Sequence, residues 1–141
     1  VADWSPATGV RVATLAPELP GALDVVDRLV AKGVVVSAGH SAATEAEATA
    51  GFDAGIRMVT HLTNAMSKDI DAPGLRPAAI ADPRVTIALI PDGLHVEPEL
   101  VAEVRRRVGR DREAPRELLG LLLHPNRRAL EESRASALPE K

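Results

Sequence analysis

Residues 34–40 read VVVSAGH, three successive valines followed by small residues and a histidine. An apolar run without polar alternation is typical of a parallel strand that is buried on both faces. Helical patterns lie on either side of it. Leucines and valines recur at helical spacing between Gly21 and Lys32, and an Ala- and Glu-rich segment runs from residue 43 to residue 54, where Ser41 or Thr44 could cap it. The stretch therefore predicts a strand between two helices.

The same alternation continues along the chain. Three further strands are predicted within GVRVATLAPE (9–18), IRMVTHL (56–62) and RVTIALI (84–90). Two further helices are predicted, a short one at AAIADP (78–83) and an amphipathic one beginning near Glu97, and a long loop covers residues 63–77. Strands alternating with helices at this spacing predict an α/β fold with a parallel sheet, either doubly wound or part of a (β/α)₈ barrel.

The alternation ends near residue 110, and no strand pattern follows it. We therefore divide the chain into a β/α domain at residues 8–110, with about four parallel units, and a divergent helical or disordered tail at residues 111–141.

Composition excludes several classes of function. The chain has 141 residues, a net charge of -3, and no cysteine, so any metal must be bound by His, Asp or Glu. Arginines crowd the last third, but with one Trp, one Phe and no Tyr there is no base-stacking surface, and we expect no nucleic-acid partner. No apolar run approaches the roughly 18 residues of a membrane span, and no secretory signal is present, so we expect a cytoplasmic protein without a membrane partner.

Two histidines follow neighbouring predicted strands. His40 comes at the end of the valine-rich strand, and His61 comes at the end of the next one. For one such histidine, a structural hydrogen bond explains its position equally well. Because the carboxyl ends of parallel strands meet at one edge of the sheet, the two imidazoles together favour a shared divalent metal.

Other polar residues lie at the same predicted edge. Asn64 and Ala65 follow the third strand and could offer amide donors to a ligand, although Asn64 could equally close a turn. His95 lies in DGLH (92–95), where Gly93 suits a tight turn that directs the imidazole over the edge. Glu18 could be a metal ligand by position, but a contact with a loop or a helix start is the favoured interpretation.

Four motifs, in this order and at these separations, resemble the N-acetylglucosamine-6-phosphate deacetylases of the amidohydrolase superfamily: TLAPE (14–18), VVVSAGHSAAT (34–44), THLTNAM (60–66) and IPDGLHVEPEL (90–100). The similarity covers roughly residues 8–108. It implies a partial (β/α)₈ barrel in which His40 and His61 hold a divalent metal, zinc foremost, with iron as an alternative. It also implies that Asn64 and Ala65 touch an amino-sugar phosphate and that His95 contacts the substrate.

The resemblance implies a hydrolase that releases acetate from the 2-acetamido group of the sugar phosphate. The family takes its glutamate ligand from an HLEGP-like segment and its catalytic aspartate from a VTDA-like strand end, and this sequence contains neither. We therefore assign no catalytic residue and expect little activity from this chain alone. An open partial barrel also predicts association between copies, or aggregation, through its free strand edges.

A second departure from the family pattern keeps alternatives open. The family usually shows REPG, whose arginine binds phosphate, where this chain has DAPG (71–74), which places Asp71 near that position. An amidohydrolase for an unphosphorylated acetamido sugar is therefore an alternative. A non-catalytic α/β binding module and a degraded gene product without function are two others.

Overall fold

Strands alternate with helices throughout the part of the chain that is described by the computed structural model, which is residues 1–64, 66 and 72–112. The elements are β1 (Val12–Leu15), α1 (Ala22–Ala31), β2 (Val35–Ala38), α2 (Glu45–Ala54), β3 (Met58–Val59), α3 (Leu75–Ala81), β4 (Thr86–Ile87) and α4 (Pro98–Val108). Short 3₁₀ helices at Pro6–Thr8 and Arg110–Arg112 precede and follow them.

The four strands form one parallel sheet in the order β1-β2-β3-β4. Sequential order with a helix between each pair is the arrangement of consecutive β/α units. The register aligns Thr14 with Ser37, Ser37 with Met58, and Met58 with Thr86. Because side chains alternate between the faces of a strand, these residues form one row on one face. The α/β prediction is confirmed.

The helices pack on the opposite face of the sheet. Strand residues Ala13, Val36, Ala38, Val59 and Ile87 share one apolar cluster with the buried residues of all four helices. The largest fully buried side chains in this cluster are Phe52, Leu29, Ile56, Leu62 and Ile87. Apolar packing against the helices therefore holds the strands, and with them the strand ends, in fixed positions.

The face of the sheet away from this cluster is partly open. Val34 and Val36 are 3% and 1% exposed, but Val35 between them is 44% exposed. The prediction that this valine run is buried on both faces is therefore wrong for Val35, because its side chain projects from the face that the helices leave uncovered.

One predicted boundary differs from the structure, and the structure decides between two predicted helix caps. Helix α3 begins at Leu75, inside the segment that the sequence indicates as loop. Pro77 lies in the first turn of this helix, where a backbone N–H would have no partner within the helix, so the proline does not prevent an earlier start. Helix α2 is capped by Thr44 and not by Ser41, since the Thr44 hydroxyl accepts a hydrogen bond from the Glu47 amide at 3.3 Å.

The predicted tail at residues 111–141 lies almost entirely outside the described residues, so its separation from the β/α domain stays a prediction. In the described part of the chain, no helix has the length and apolar character needed to cross a bilayer.

Candidate metal centre

His40 and His61 occupy equivalent places after neighbouring strands. Ala38 ends β2 and pairs in register with Val59, which ends β3, and each histidine lies two residues beyond its strand. The two side chains consequently reach the same level above the sheet. Their Nε2 atoms are 2.8 Å apart, and their ring centroids are 4.7 Å apart with the planes inclined at 65°. The sequence-predicted convergence of these imidazoles is present, while their role as metal ligands stays a prediction.

The backbone at both histidines has an unusual conformation. The φ angles are 52° at His40 and 36° at His61, in a region that residues other than glycine rarely adopt. Flanking hydrogen bonds hold the chain there: the Gly39 amide donates to Leu15 at 3.1 Å, and the Leu62 amide donates to Ala88 at 2.8 Å. Such strained conformations persist where the surrounding structure fixes them, and they cluster at functional sites.

A row of hydroxyl groups crosses the sheet next to the histidines. The Thr60 hydroxyl lies 3.0 Å from that of Thr14 and 2.6 Å from that of Ser37. Gly39 packs so closely here that an added Cβ would lie 2.9 Å from the Thr14 methyl and 3.1 Å from the Thr60 Cβ. The hydroxyl row and the glycine therefore fix the chain immediately before each histidine.

Sequence reasoning did not find this row, although a signal was present. Thr14 and Ser37 occupy the third position of their four-residue strands, and Thr60 directly precedes His61. A polar residue at the same phase in two neighbouring apolar strands indicates that one face of the sheet is not core.

Electrostatics favour a neutral imidazole at His61. Burial is the main cause that lowers the pKa of His61 from its ordinary 6.5, and the nearby His40 and His95 lower it further. Because only the neutral ring offers a lone pair to a metal, a lowered pKa keeps His61 competent as a ligand at neutral pH.

The distance between the His40 and His61 Nε2 atoms is close to that between two ligands of one divalent ion. Two protein ligands are fewer than a metal site usually has. Two nitrogens bound to one zinc at about 2.0–2.1 Å lie about 2.9 Å apart at a right angle and about 3.3 Å apart at the tetrahedral angle. The observed 2.8 Å is close to the first of these, and it is also the length of a hydrogen bond between the two rings. The rings must therefore move slightly apart to bind a tetrahedral ion. In residues 1–64, 66 and 72–112, no third His, Asp or Glu joins them as a ligand group. Within the same residues, the buried His61 Nδ1 has no hydrogen-bond partner.

His95 is oriented by the turn that carries it. Asp92 Oδ1 accepts the amides of Leu94 and His95 at 2.9 and 2.8 Å, and Asp92 Oδ2 lies 2.7 Å from His95 Nδ1. The His95 amide and ring, with the Leu94 amide, hold the pKa of Asp92 down to about 2.

The remaining predicted residues have different outcomes. Asn64 is half-buried. Its backbone N–H donates to the His61 carbonyl at 2.9 Å, so Asn64 closes the turn after the second histidine. Ala65 lies outside the described residues, so its predicted contact with a sugar phosphate, like that of Asn64, stays a prediction. Glu18 contacts the loop after His40, which is the interpretation that the sequence favoured.

A depression of about 480 Å³ opens at this edge of the sheet. It is lined by the end of β1 and the loop after it, and by the residues that directly follow β2 and β3, including both histidines. It is open enough to admit a small molecule to the imidazole pair.

Several curated proteins are similar to this chain in sequence. The chain is 42% identical over 90 residues to N-acetylgalactosamine-6-phosphate deacetylase from Escherichia coli O157:H7, an alignment that covers 63% of this chain and 24% of that protein. It is 36% identical over 104 residues to N-acetylglucosamine-6-phosphate deacetylase from Rattus norvegicus, with 70% and 25% covered. The chain is similar to one quarter of a sugar-phosphate deacetylase.

Solved structures of deacetylases are similar to this chain in fold. N-acetyl-D-glucosamine-6-phosphate deacetylase from Mycobacterium smegmatis superposes with a TM-score of 0.71 at 43% identity, covering 74% of this chain and 30% of that one. The enzyme from Pasteurella multocida gives a TM-score of 0.69 at 31% identity, with 77% and 28% covered. No family model matches the chain. The predicted resemblance to these deacetylases and the predicted partial barrel are confirmed.

Proposed function

We propose that this chain supplies the paired histidine ligands and part of the substrate site of a metal-dependent deacetylase for N-acetylhexosamine 6-phosphates. The reaction is hydrolysis of the 2-acetamido group to the amino-sugar phosphate and acetate. The observation that carries the proposal is the 2.8 Å approach of the His40 and His61 Nε2 atoms above neighbouring parallel strands. Relatives that act, by name, on N-acetylglucosamine or N-acetylgalactosamine 6-phosphate support the substrate class.

His40 and His61 would hold the ion, which when bound polarises an amide carbonyl and lowers the pKa of water. The chain's own contribution is to present two imidazoles at fixed positions. The lowered pKa of His61 supports this role, because little free energy is spent in removing a proton before an ion binds.

His95 would orient the substrate. Since Asp92 engages Nδ1, contact with a substrate oxygen falls to Nε2, on the other side of the ring. The fixed turn of residues 92–95 limits the motion of this imidazole and therefore lowers the entropic cost of substrate binding.

A second candidate substrate is an unphosphorylated acetamido sugar. The DAPG stretch at residues 71–74 favours it, because a carboxylate at Asp71 would repel a phosphate where an arginine would bind one. Asp71 itself lies outside the described residues. Since both curated relatives named above carry the 6-phosphate in their names, we place the phosphorylated sugar first.

Calorimetric titration of the zinc-supplemented chain with N-acetylglucosamine 6-phosphate and with N-acetylglucosamine tests the proposal, with acetate release measured alongside. We expect the phosphorylated sugar to bind and the His40→Ala/His61→Ala variant to lose that binding. His124→Ala, which changes the one histidine without an assigned role, is the matched control and should bind like the unmodified chain. Tighter binding of the free sugar would select the second candidate. Equal binding by the double variant, or no binding of either sugar, would contradict the proposal.

A further inference from the structure

The carboxylate of Glu18 joins two loops at the edge of the sheet. Glu18 lies in the loop after β1, and its Oε2 accepts the Ser41 hydroxyl at 2.7 Å while its Oε1 accepts the Ala42 amide at 2.7 Å. The same Ser41 hydroxyl accepts the Ala43 amide at 3.1 Å. One side chain thus binds both residues that immediately follow His40.

This contact lies where the chain needs support. His40 has a φ of 52°, which an L-residue adopts only when its surroundings fix it. Gly39 fixes the preceding side through its tight packing against Thr14 and Thr60. Glu18 fixes the following side, and hydrogen bonds to a charged acceptor are stronger than those to neutral groups.

Glu18 does not act as a third ligand in the described part of the chain. No group of three His, Asp or Glu residues is placed there to hold an ion, although Glu18 and both histidines belong to that part. Each of its oxygens is instead engaged by a donor from residues 41 and 42.

We propose that Glu18 is a positioning residue for His40: by clamping residues 41 and 42, it holds the His40 backbone in the conformation that brings its Nε2 to His61. The inference rests on the proposed metal role of the histidine pair. Loss of the clamp should release the loop and let the His40 ring leave the pair, with the sheet and helices unchanged.

Two substitutions at Glu18 separate the clamp from the charge. Glu18→Ala removes both hydrogen bonds. Glu18→Gln keeps them in principle, since its amide oxygen can accept the Ala42 amide and its NH₂ group can donate to the Ser41 hydroxyl. Asp27→Ala removes an exposed acid on α1 and is the matched control for net charge.

Two measurements on the full 141-residue chain read the effect: the Kd for Zn²⁺ by competition with a chromophoric chelator, and the hydrogen-exchange rate of the Ala42 amide by NMR. We expect Glu18→Ala to weaken zinc binding by about tenfold, the usual lower range for residues that support a metal ligand. It should also accelerate Ala42 exchange, while Glu18→Gln and Asp27→Ala stay close to the unmodified chain. A purely structural role would lower the unfolding midpoint without this change in Kd.

The outcomes separate this inference from the proposed function. Equal zinc affinity in Glu18→Ala and Asp27→Ala would overturn the positioning role while leaving the histidine pair in place. If the unmodified chain binds no zinc, the proposed function fails, and unchanged Ala42 exchange in Glu18→Ala then overturns the clamp as well. Should Glu18→Ala not fold, Ser41→Ala removes one of the two clamp bonds, and an unchanged Kd in that variant overturns the inference.

Discussion

At the scale of single residues, the proton equilibrium of His61 is the first property to measure. Burial and two neighbouring imidazoles lower the pKa of His61 below 6.5. In an NMR pH titration of the metal-free chain, we expect His61 to titrate below 6.5. Because the unfolded chain then binds the proton more tightly, the free energy of unfolding should fall as the pH drops below 6.5. A titration midpoint for His61 at or above 6.5 would contradict this account.

Gly39 gives a second prediction at this scale. A Cβ at this position would lie 2.9 Å from the Thr14 methyl, so Gly39→Ala must displace β1 or the backbone before His40. We expect the free energy of unfolding, measured by urea denaturation, to fall by about 1–3 kcal/mol. Thr14→Ser removes that methyl but keeps the hydroxyl, so adding it should restore part of the loss. A Gly39→Ala chain as stable as the unmodified one would rule out the close packing.

The residues of the site were predictable to different extents. His40 and His61 could be found because each ends an apolar run, and the ends of parallel strands share one edge. The positive φ angles of these histidines could not be found, because they depend on contacts from neighbouring strands. Polar residues at the same position of two apolar strands signalled an open face of the sheet. The hydrogen bonds of Thr60 with Thr14 and Ser37 could not be found, because they join residues 46 and 23 positions apart.

At the scale of elements, helix α2 depends on its amino-terminal cap. Thr44 and Glu47 exchange hydrogen bonds between side chains and backbone, since the Thr44 amide donates to Glu47 at 2.8 Å and the Glu47 amide donates to Thr44 at 3.3 Å. We expect Thr44→Ala to lower the free energy of unfolding by about 1 kcal/mol. Thr49→Ala, in the same helix but away from the cap, should be neutral or slightly stabilising. Equal effects of the two substitutions in urea denaturation would argue against the cap.

Element order and type were predictable, and element ends were less so. All four helices and all four strands of the described part were indicated by periodicity, but the strands are short, with two residues in β3 and in β4. Their ends depend on pairing with the neighbouring strand, which a single segment does not encode. The start of α3 was missed because a proline in the first turn of a helix resembles one in a loop.

At the scale of the whole molecule, the sheet has one covered face and one partly open face. Val35 is 44% exposed on the open face, and β1 and β4 each pair on one side within the described sheet. Exposed apolar surface and unpaired edges favour association. We expect sedimentation velocity to show association that increases with concentration and is reduced by Val35→Thr. A monomer at all concentrations would contradict this prediction.

The alternation of strands and helices predicted a parallel sheet but left a doubly wound sheet and a partial barrel both open. The resemblance to the deacetylases implied the barrel, and the strand order β1-β2-β3-β4 agrees with it. The exposure of Val35 could not be predicted in the same way, because it depends on what covers the second face of the sheet. The chain spans about a quarter of the curated relatives that it matches. The low activity that we expect of this chain alone therefore stays a prediction.

Zinc affinity measured by isothermal titration calorimetry tests the central claim most directly. The account predicts that the unmodified chain and His124→Ala bind Zn²⁺ alike, that His40→Ala and His61→Ala each bind at least about tenfold more weakly, and that the double variant shows no specific binding. Binding by the double variant with the affinity of the unmodified chain would contradict it.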